Sequence, residues 1–229
     1  KNVSVKGIKA IALKEGDSLV GVAKTSGSSD IMLFSNLGKA IRFNEYWTGG
    51  AGDEDEAEND VSGSLQDEED GGETEFNLQT NKGVRPSGRG SGGLRGMRLP
   101  ENGRIVSLLT AEIGSDLQVL TATQNGYGKR TPIADYTRKG RGGQGIIAID
   151  TGERNGELVG AVLVSPTDDL MLITSGGVLI RTKVEQVRET GRAAAGVRLI
   201  NLDEGTTLVS LERVAESEED EAEAAEGEA

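Results

Sequence analysis

Cysteine and histidine are both absent from this 229-residue chain, and aromatic residues make up only 3% of it. Without cysteine there is no disulfide, no thiol nucleophile and no thiolate ligand for zinc. Without histidine, Ser-His-Asp triads and histidine-based metal sites are excluded as well. So few aromatic rings argue against a surface on which the bases of single strands stack. These absences remove the commonest nucleophiles and metal ligands, and we expect no catalytic residues, no metal site and no cofactor in this chain.

Long hydrophobic runs are also missing. No apolar run approaches the ~20 residues that a helix needs to cross a bilayer, so we expect no membrane partner. No signal peptide is present, but the chain begins at Lys1 inside a repeating pattern, and we expect it to be a fragment of a longer protein.

Basic residues are absent from two acidic stretches. Residues 48 to 81 contain 12 Asp or Glu residues, and residues 216 to 229 contain 8. With few large apolar side chains, neither stretch buries enough surface to offset the entropy lost on ordering. We predict a disordered insertion at 48–81 and a disordered tail at 216–229, which leaves a folded body within 1–215.

The charge of the folded body differs in sign from that of the chain. The chain has 25 basic and 38 acidic residues, for a net charge of −13. Setting the two stretches aside leaves 18 acidic residues against 25 basic ones, or about +7. A basic body with acidic appendages favours a nucleic-acid partner. The alternative is that the acidic stretches only keep the protein soluble.

A glycine-rich pattern with one arginine recurs in the chain, and we call each copy a box. The boxes are GRGSGG at 88–93, GRGGQG at 140–145 and GRAAAG at 191–196, so they begin 52 and 51 residues apart. A period near 50 is typical of repeat architectures. Glycine permits positive φ and close backbone approach, so turns between repeats are the simplest interpretation. One arginine per box (Arg89, Arg141 and Arg192) adds a row of evenly spaced cations.

The residues after each box predict the fold class. The repeats start near Gly7, Gly93, Gly145 and Gly196, and each complete one contains four short apolar runs bounded by turn residues, with no helical period. We interpret each complete repeat as a four-stranded antiparallel blade of an all-β, propeller-like fold. The chain then holds a partial disc of three repeats plus the first two strands of a fourth. The long first interval contains the acidic insertion.

Two boxes match the dinucleotide-binding pattern G-x-G-x-x-G. That pattern has to follow a strand and open a helix, whereas strand-forming residues 146–149 follow the second box. A disordered Arg-Gly-Gly tract that binds RNA is another alternative, but such tracts are long and aperiodic. The carboxylates of Asp30, Asp116, Asp168 and Asp169 precede the third run of each repeat, and we expect them to be turn residues and not catalytic pairs.

A second cation recurs on the fourth run of each repeat, as Arg42, Arg130 and Arg181. Equivalent residues of successive blades lie along one rim, and a rim of cations matches the phosphates of a curved duplex without reading its sequence. Further basic residues cluster beside both sets. The predicted DNA-binding residues are Arg42, Arg89, Lys129, Arg130, Arg138, Lys139, Arg141, Arg181, Lys183 and Arg192.

Three runs carry a resemblance to a known family: residues 16–22 (GDSLVGV), 121–131 (TATQNGYGKRT) and 153–162 (ERNGELVGAV). They resemble the C-terminal domain of bacterial DNA gyrase A subunits, as the acidic tail does, over nearly all of the chain except 48–81. The resemblance implies a β-pinwheel, a disc whose neighbouring blades exchange strands. Its basic rim would wrap duplex DNA in support of negative supercoiling. With strand exchange, the final half-repeat is expected to complete the preceding blade.

The resemblance also implies a setting. The parent protein would be an ATP-dependent type II topoisomerase in the bacterial cytoplasm, at the nucleoid. Its partners in a heterotetramer would be the B subunit together with the rest of the A subunit, where the catalytic tyrosine lies in another domain. We therefore expect none of Tyr46, Tyr127 and Tyr136 to cleave DNA.

The chain departs from the family in two respects. A full domain of the family usually has six blades, and it carries a Gln-Arg-Arg-Gly-Gly-Lys-Gly box. Residues 141–145 match the core of that box, but the leading Gln-Arg is missing and Gln144 replaces the lysine. Two alternatives stay open: the equivalent domain of topoisomerase IV, and a propeller-type scaffold whose rim binds an acidic protein.

Overall fold

The computed structural model describes residues 9–46 and 83–215. The predicted insertion, the predicted tail and Gly7 lie outside these residues. Within the described ranges, no helix is long and apolar enough to cross a membrane. The strands are β1 Asp30–Ser35, β2 Lys39–Asn44, β3 Ile105–Ala111, β4 Gln118–Thr123, β5 Tyr127–Pro132, β6 Ile146–Ile147, β7 Leu158–Val164, β8 Asp169–Thr174, β9 Leu179–Lys183, β10 Val197–Arg198 and β11 Leu208–Val214. Two short 3₁₀ turns, Ile133–Asp135 and Val184–Gln186, follow β5 and β9.

The strands form three antiparallel sheets, which we call the first, second and third blades. The first blade has the order β3-β1-β2-β6, the second β10-β5-β4-β7 and the third β11-β8-β9. The prediction of an all-β fold built of antiparallel blades is confirmed, with four strands in each of the first two blades and three described strands in the third.

The strands of one blade come from different repeats, and here the interpretation of one repeat as one sheet was wrong. The first blade takes β1 and β2 from one repeat, β3 from the next and β6 from the repeat after that. The second blade follows the same rule. The half-repeat after Gly196 is divided, since β11 joins β8 of the third blade and β10 joins β5 of the second. The expectation that this half-repeat completes the preceding blade is confirmed for β11.

The last glycines of the second and third boxes make this exchange possible. Gly145 and Gly196 have φ values of 76° and 83°, in the region that favours glycine. A Cβ atom on Gly145 would lie 2.5 Å from the carbonyl oxygen of Ala40, and one on Gly196 would lie 2.5 Å from that of Gly128. At these glycines the chain lies in contact with the backbone of an earlier strand, β2 or β5. The residues that follow, in β6 or β10, then pair with that same strand.

Three predicted runs do not form strands. Residues 9–13, 19–22 and 94–99 have no strand assignment, and Leu19 and Val22 are exposed. By the exchange rule, their pairing partners would be the third and fourth runs of preceding repeats. The described residues contain no such repeats, so these runs lack a ladder to join.

The hydrophobic core lies between the blades. Alternate side chains of a strand face opposite sides, so Val119 of β4 packs in a cluster with Phe34 and Tyr136, while Leu120 packs in another with Leu170 and Leu172. The rings of Phe34 and Tyr136 meet edge to face, with centroids 5.9 Å apart. Strand β7 also packs against β3 and β11. The opposite edges, formed by β6, β10 and β9, are the outer edges of the three blades.

Candidate nucleic-acid interface

Arg42 lies inside the protein and not on its rim. Its side chain is 8% exposed, and Nε and Nη2 donate to Oδ2 of Asp30 at 2.9 and 2.5 Å. Its Nη1 donates to the carbonyl oxygens of Ile133 and Tyr136 at 2.8 and 3.1 Å. These carbonyls belong to the turn after β5, so Arg42 fastens the first blade to the second. Burial in this network keeps Arg42 from DNA phosphates, and we leave it out of the interface.

Arg130 repeats the same contact one blade further on. Its Nε donates to the carbonyl oxygen of Val187 at 2.6 Å, in the turn after β9, and its Nη1 donates to Gln118 at 3.2 Å. The third equivalent, Arg181, pairs with Asp169 at 2.5 Å and is 59% exposed. No later turn covers Arg181 within the described ranges. The second recurring cation is thus a clamp between blades in its first two copies, and only the last copy is largely exposed.

The first two clamps differ in which residue supplies the carboxylate. In the first blade, Arg138 lies beside Arg42 and donates to Asp30 at 2.9 Å. In the second blade, Glu189 takes the place of Arg138 beside Arg130, and Gln118 takes the place of Asp30 and donates to Glu189. A carboxylate is therefore present in each network, but it comes from a different segment.

Lys129 is also internal. Its side chain is fully buried, and its Nζ donates to the carbonyl oxygen of Gly191 at 2.9 Å and to that of Arg192. Burial, with a smaller effect of the positive charge of Arg192, lowers the pKa of Lys129 to about 8. Lys129 therefore stabilises the backbone of the third box from inside the protein, and we leave it out of the interface as well.

The box arginines lie at the outer edge, where the second and third boxes lead directly into β6 and β10. Arg192 donates from Nη1 to the carbonyl oxygen of Ile147 at 2.7 Å. Arg141 donates from Nη1 to that of Arg95 at 3.5 Å and from Nε to that of Gly83 at 2.9 Å. Ile147 and Arg95 both stand two residues after the last glycine of the preceding box. Each of these two arginines thus reaches back to the same place in the repeat before it.

The remaining predicted residues are exposed or half-buried. Arg89, Lys139 and Lys183 are exposed, and the side chain of Arg138 is 30% exposed. The backbone N–H of Lys139 donates to the carbonyl oxygen of Arg42 at 2.8 Å, which holds the segment before the second box against β2. Arg138, Lys139 and Arg141 are thereby presented together at the outer edge of the first blade.

Two arginines that the repeat pattern does not single out meet at Tyr127. The Cζ atoms of Arg154 and Arg198 lie 4.3 and 5.2 Å from the centre of the Tyr127 ring. Nη2 of Arg198 donates to the Tyr127 hydroxyl at 2.7 Å. This bond, with one from Arg154, lowers the pKa of the exposed Tyr127 hydroxyl. The pairing of Arg198 with Tyr127 follows from the β10–β5 register, which the repeat pattern alone does not reveal.

Comparison with known proteins gives a consistent result. The family model described as "DNA gyrase C-terminal domain, beta-propeller" matches residues 6–26, 29–46, 82–112, 118–165 and 168–215. The DNA gyrase A subunit of Neisseria gonorrhoeae is 72% identical over 225 residues, which are 95% of this chain and 24% of that protein. The corresponding protein of Escherichia coli strain K12 is 40% identical over 212 residues, 93% of this chain and 20% of that protein. The chain spans about a quarter or less of the length of these curated relatives.

Two solved structures share the fold. A DNA gyrase A C-terminal domain superposes with a TM-score of 0.66 at 24% identity, covering 92% of this chain and 59% of that chain. The C-terminal domain of a DNA topoisomerase IV superposes with a TM-score of 0.71 at 21% identity, covering 97% of this chain and 58% of that chain. At these identities the likeness establishes the blade architecture alone.

Proposed function

Because the chain belongs to the DNA gyrase C-terminal domain family, we propose that its basic outer edge binds duplex DNA and bends it around the blades. One observation carries the proposal most directly: Arg141 and Arg192 occupy equivalent places on successive blades, each held by a backbone carbonyl of the preceding repeat. Cations fixed at a regular interval suit a polymer whose charges are also regularly spaced. The proposed contact residues are Arg89, Arg138, Lys139, Arg141, Lys183, Arg192 and the accessible part of Arg130; Arg181 is left out, because Asp169 already neutralises its charge.

Internal ion pairs support the same edge. The described ranges contain 22 Lys and Arg residues against 18 Asp and Glu residues. Asp30 and Asp168 are buried and take their partners from within the protein, as do Asp169 and Glu157. These four carboxylates therefore neutralise arginines outside the boxes. The positive charge of the box arginines is not reduced by them. Phosphate contacts made by the boxes would position DNA and carry no sequence information.

Bending follows from the spacing of the cations on successive blades. Curving a duplex of 20–30 base pairs costs of order 1–6 kcal/mol, because its persistence length is about 150 base pairs. Contacts that continue along a curved path offset this cost, whereas contacts at one point do not. The interlocked blades hold the boxes in fixed relation to each other, as such a path requires.

The whole protein is inferred to act as the A subunit of a type II topoisomerase, together with a B subunit in a heterotetramer in the cytoplasm, at the nucleoid. Wrapping by this domain would then present a DNA segment for strand passage in one direction and so support negative supercoiling. The equivalent role in topoisomerase IV is the second candidate, because the domain of that enzyme shares the fold. The 72% identity to a gyrase A subunit favours gyrase.

A salt titration tests the proposal. Neutralising about six phosphates gives a slope of log K against log salt near −5, at about −0.9 for each contact. Fluorescence titration of a labelled duplex of arbitrary sequence with the full chain measures this slope, and a second sequence should give the same value. A slope near zero would rule out the proposed interface, and binding confined to an acidic protein partner would favour a scaffold instead.

A further inference from the structure

Tyr127 holds two arginines at the outer edge of the second blade. Arg154 stacks over the ring, and Arg198 donates to the hydroxyl. Tyr127 lies in β5, Arg198 lies opposite it in β10, and Arg154 comes from the loop between β6 and β7. Three segments distant in sequence therefore converge on one aromatic ring.

The loop that carries Arg154 is fastened on both sides. Asn155 is buried and donates from Nδ2 to the carbonyl oxygens of Asp150 at 2.7 Å and of Ala195, in the third box, at 2.9 Å. On the other side, Nδ2 of Asn125 donates to the carbonyl oxygen of Arg154 at 3.1 Å. These bonds hold the backbone of Arg154 in place, so the arginine needs little further ordering to bind a ligand.

Neither arginine is neutralised by a carboxylate. No ion pair to Arg154 or Arg198 is found among residues 9–46 and 83–215, although both side chains are exposed. Arg104 provides the contrast, because it pairs with Glu157 at 2.7 Å while 60% exposed. Two like charges that share one ring repel each other, and an anion between them relieves that repulsion.

We propose that Arg154 and Arg198, presented by Tyr127, form a binding site for phosphodiester groups of the DNA backbone. The inference rests on the proposed function and adds a contact that the box arginines do not supply. A guanidinium stacked on an aromatic face keeps its N–H edge pointing sideways, in the geometry that suits phosphate oxygens. Arg154 donates to the carbonyl oxygen of Gly196 at 3.4 Å and to the Tyr127 hydroxyl, and Arg198 donates to Tyr127 and Asn201. Since each guanidinium has five donors, both retain N–H groups for a phosphate.

The experiment compares R154Q and R198Q with R104Q, using the full chain and a labelled duplex. Each of the first two variants should reduce the salt slope by about 0.9, whereas R104Q should leave it unchanged, because Glu157 already neutralises that charge. If wild-type protein fails to bind DNA, the proposed function itself fails. If it binds and all three variants keep its slope, or all three lose equally, only this site is refuted.

The ionisation of Tyr127 gives a second readout that does not depend on affinity. A bound phosphate adds negative charge beside the arginines that favour the phenolate, so DNA should raise the pKa of Tyr127. Absorbance at 295 nm during alkaline titration reports phenolate formation, and Y127F identifies the signal that belongs to this residue. An upward shift with duplex DNA that is lost in the R154Q/R198Q double variant supports the site. The same pKa with and without bound DNA overturns it.

Discussion

Arg42 and Asp30 form an ion pair across β1 and β2, and the same guanidinium donates to two carbonyl oxygens of the next blade. One side chain thus satisfies a buried carboxylate and also joins two sheets. The recurring cation on the fourth run of each repeat owes its position to this clamp, and its burial is set by the blade that follows.

Replacing Arg42 by methionine should destabilise the protein by more than about 2 kcal/mol, because Asp30 keeps only Arg138 as a charged partner and two buried carbonyl oxygens lose a donor. The equivalent substitution R181M removes an exposed pair and should change the free energy of unfolding by about 1 kcal/mol or less. Urea denaturation followed by circular dichroism measures both. Equal losses would contradict the assignment of Arg42 as a clamp.

Substituting alanine for Gly145 should destabilise the protein by more than about 2 kcal/mol. The new Cβ would meet the carbonyl oxygen of Ala40 at 2.5 Å, and the positive φ adds about 1–2 kcal/mol. Gly140 belongs to the same box, but an added Cβ there would have nothing within 4 Å and the residue has no positive φ, so G140A is the matched control. Thermal denaturation of the two variants measures the difference. A G145A variant as stable as the original protein would show that the close contact between Gly145 and β2 is not needed.

Titration of Lys129 should make the free energy of unfolding rise with pH between about 8 and about 10.4. Its folded-state pKa is about 8, below the value of about 10.4 in an unfolded chain. Between these values the unfolded state binds more protons, so the free energy of unfolding increases as pH rises. K129I, which copies the Ile41 of the equivalent place in the first blade, should lack this increase. Urea midpoints of both proteins at pH 7.5 and 9.5 provide the test, and parallel changes would show that Lys129 does not titrate in this window.

The double variant R141Q/R192Q should lose DNA bending more than DNA binding. Both arginines sit on successive blades, so their loss interrupts the curved path while other cations still bind a short straight duplex. Energy transfer between dyes at the ends of a long duplex reports bending, and titration of a short duplex reports binding. K14Q/K24Q removes two exposed charges outside the blades and serves as the control. Equal losses on both substrates would mean that the edge binds DNA without bending it.

The repeat period, the all-β class and the turn glycines follow from the sequence, since glycine spacing and short apolar runs reflect local backbone requirements. The partner of each strand does not, because Ile146 and Val197 would suit either their own sheet or a distant one. The burial of the recurring arginines could not be predicted from the sequence either. Arg42 and Arg181 occupy the same place in the pattern but differ in whether a later turn covers them. The meeting of Arg198 with Tyr127 depends on a pairing across 71 residues, which no local signal indicates.

Strand exchange also determines how the protein carries mechanical load. A pull on the third box would act on β10, which is hydrogen-bonded to the second blade, while the chain continues into β11 of the third blade. Tension applied at one point on the edge is therefore divided between two sheets, because consecutive strands of the chain belong to different blades. No blade is able to peel away alone, because the ladder that would have to break includes strands anchored in its neighbours.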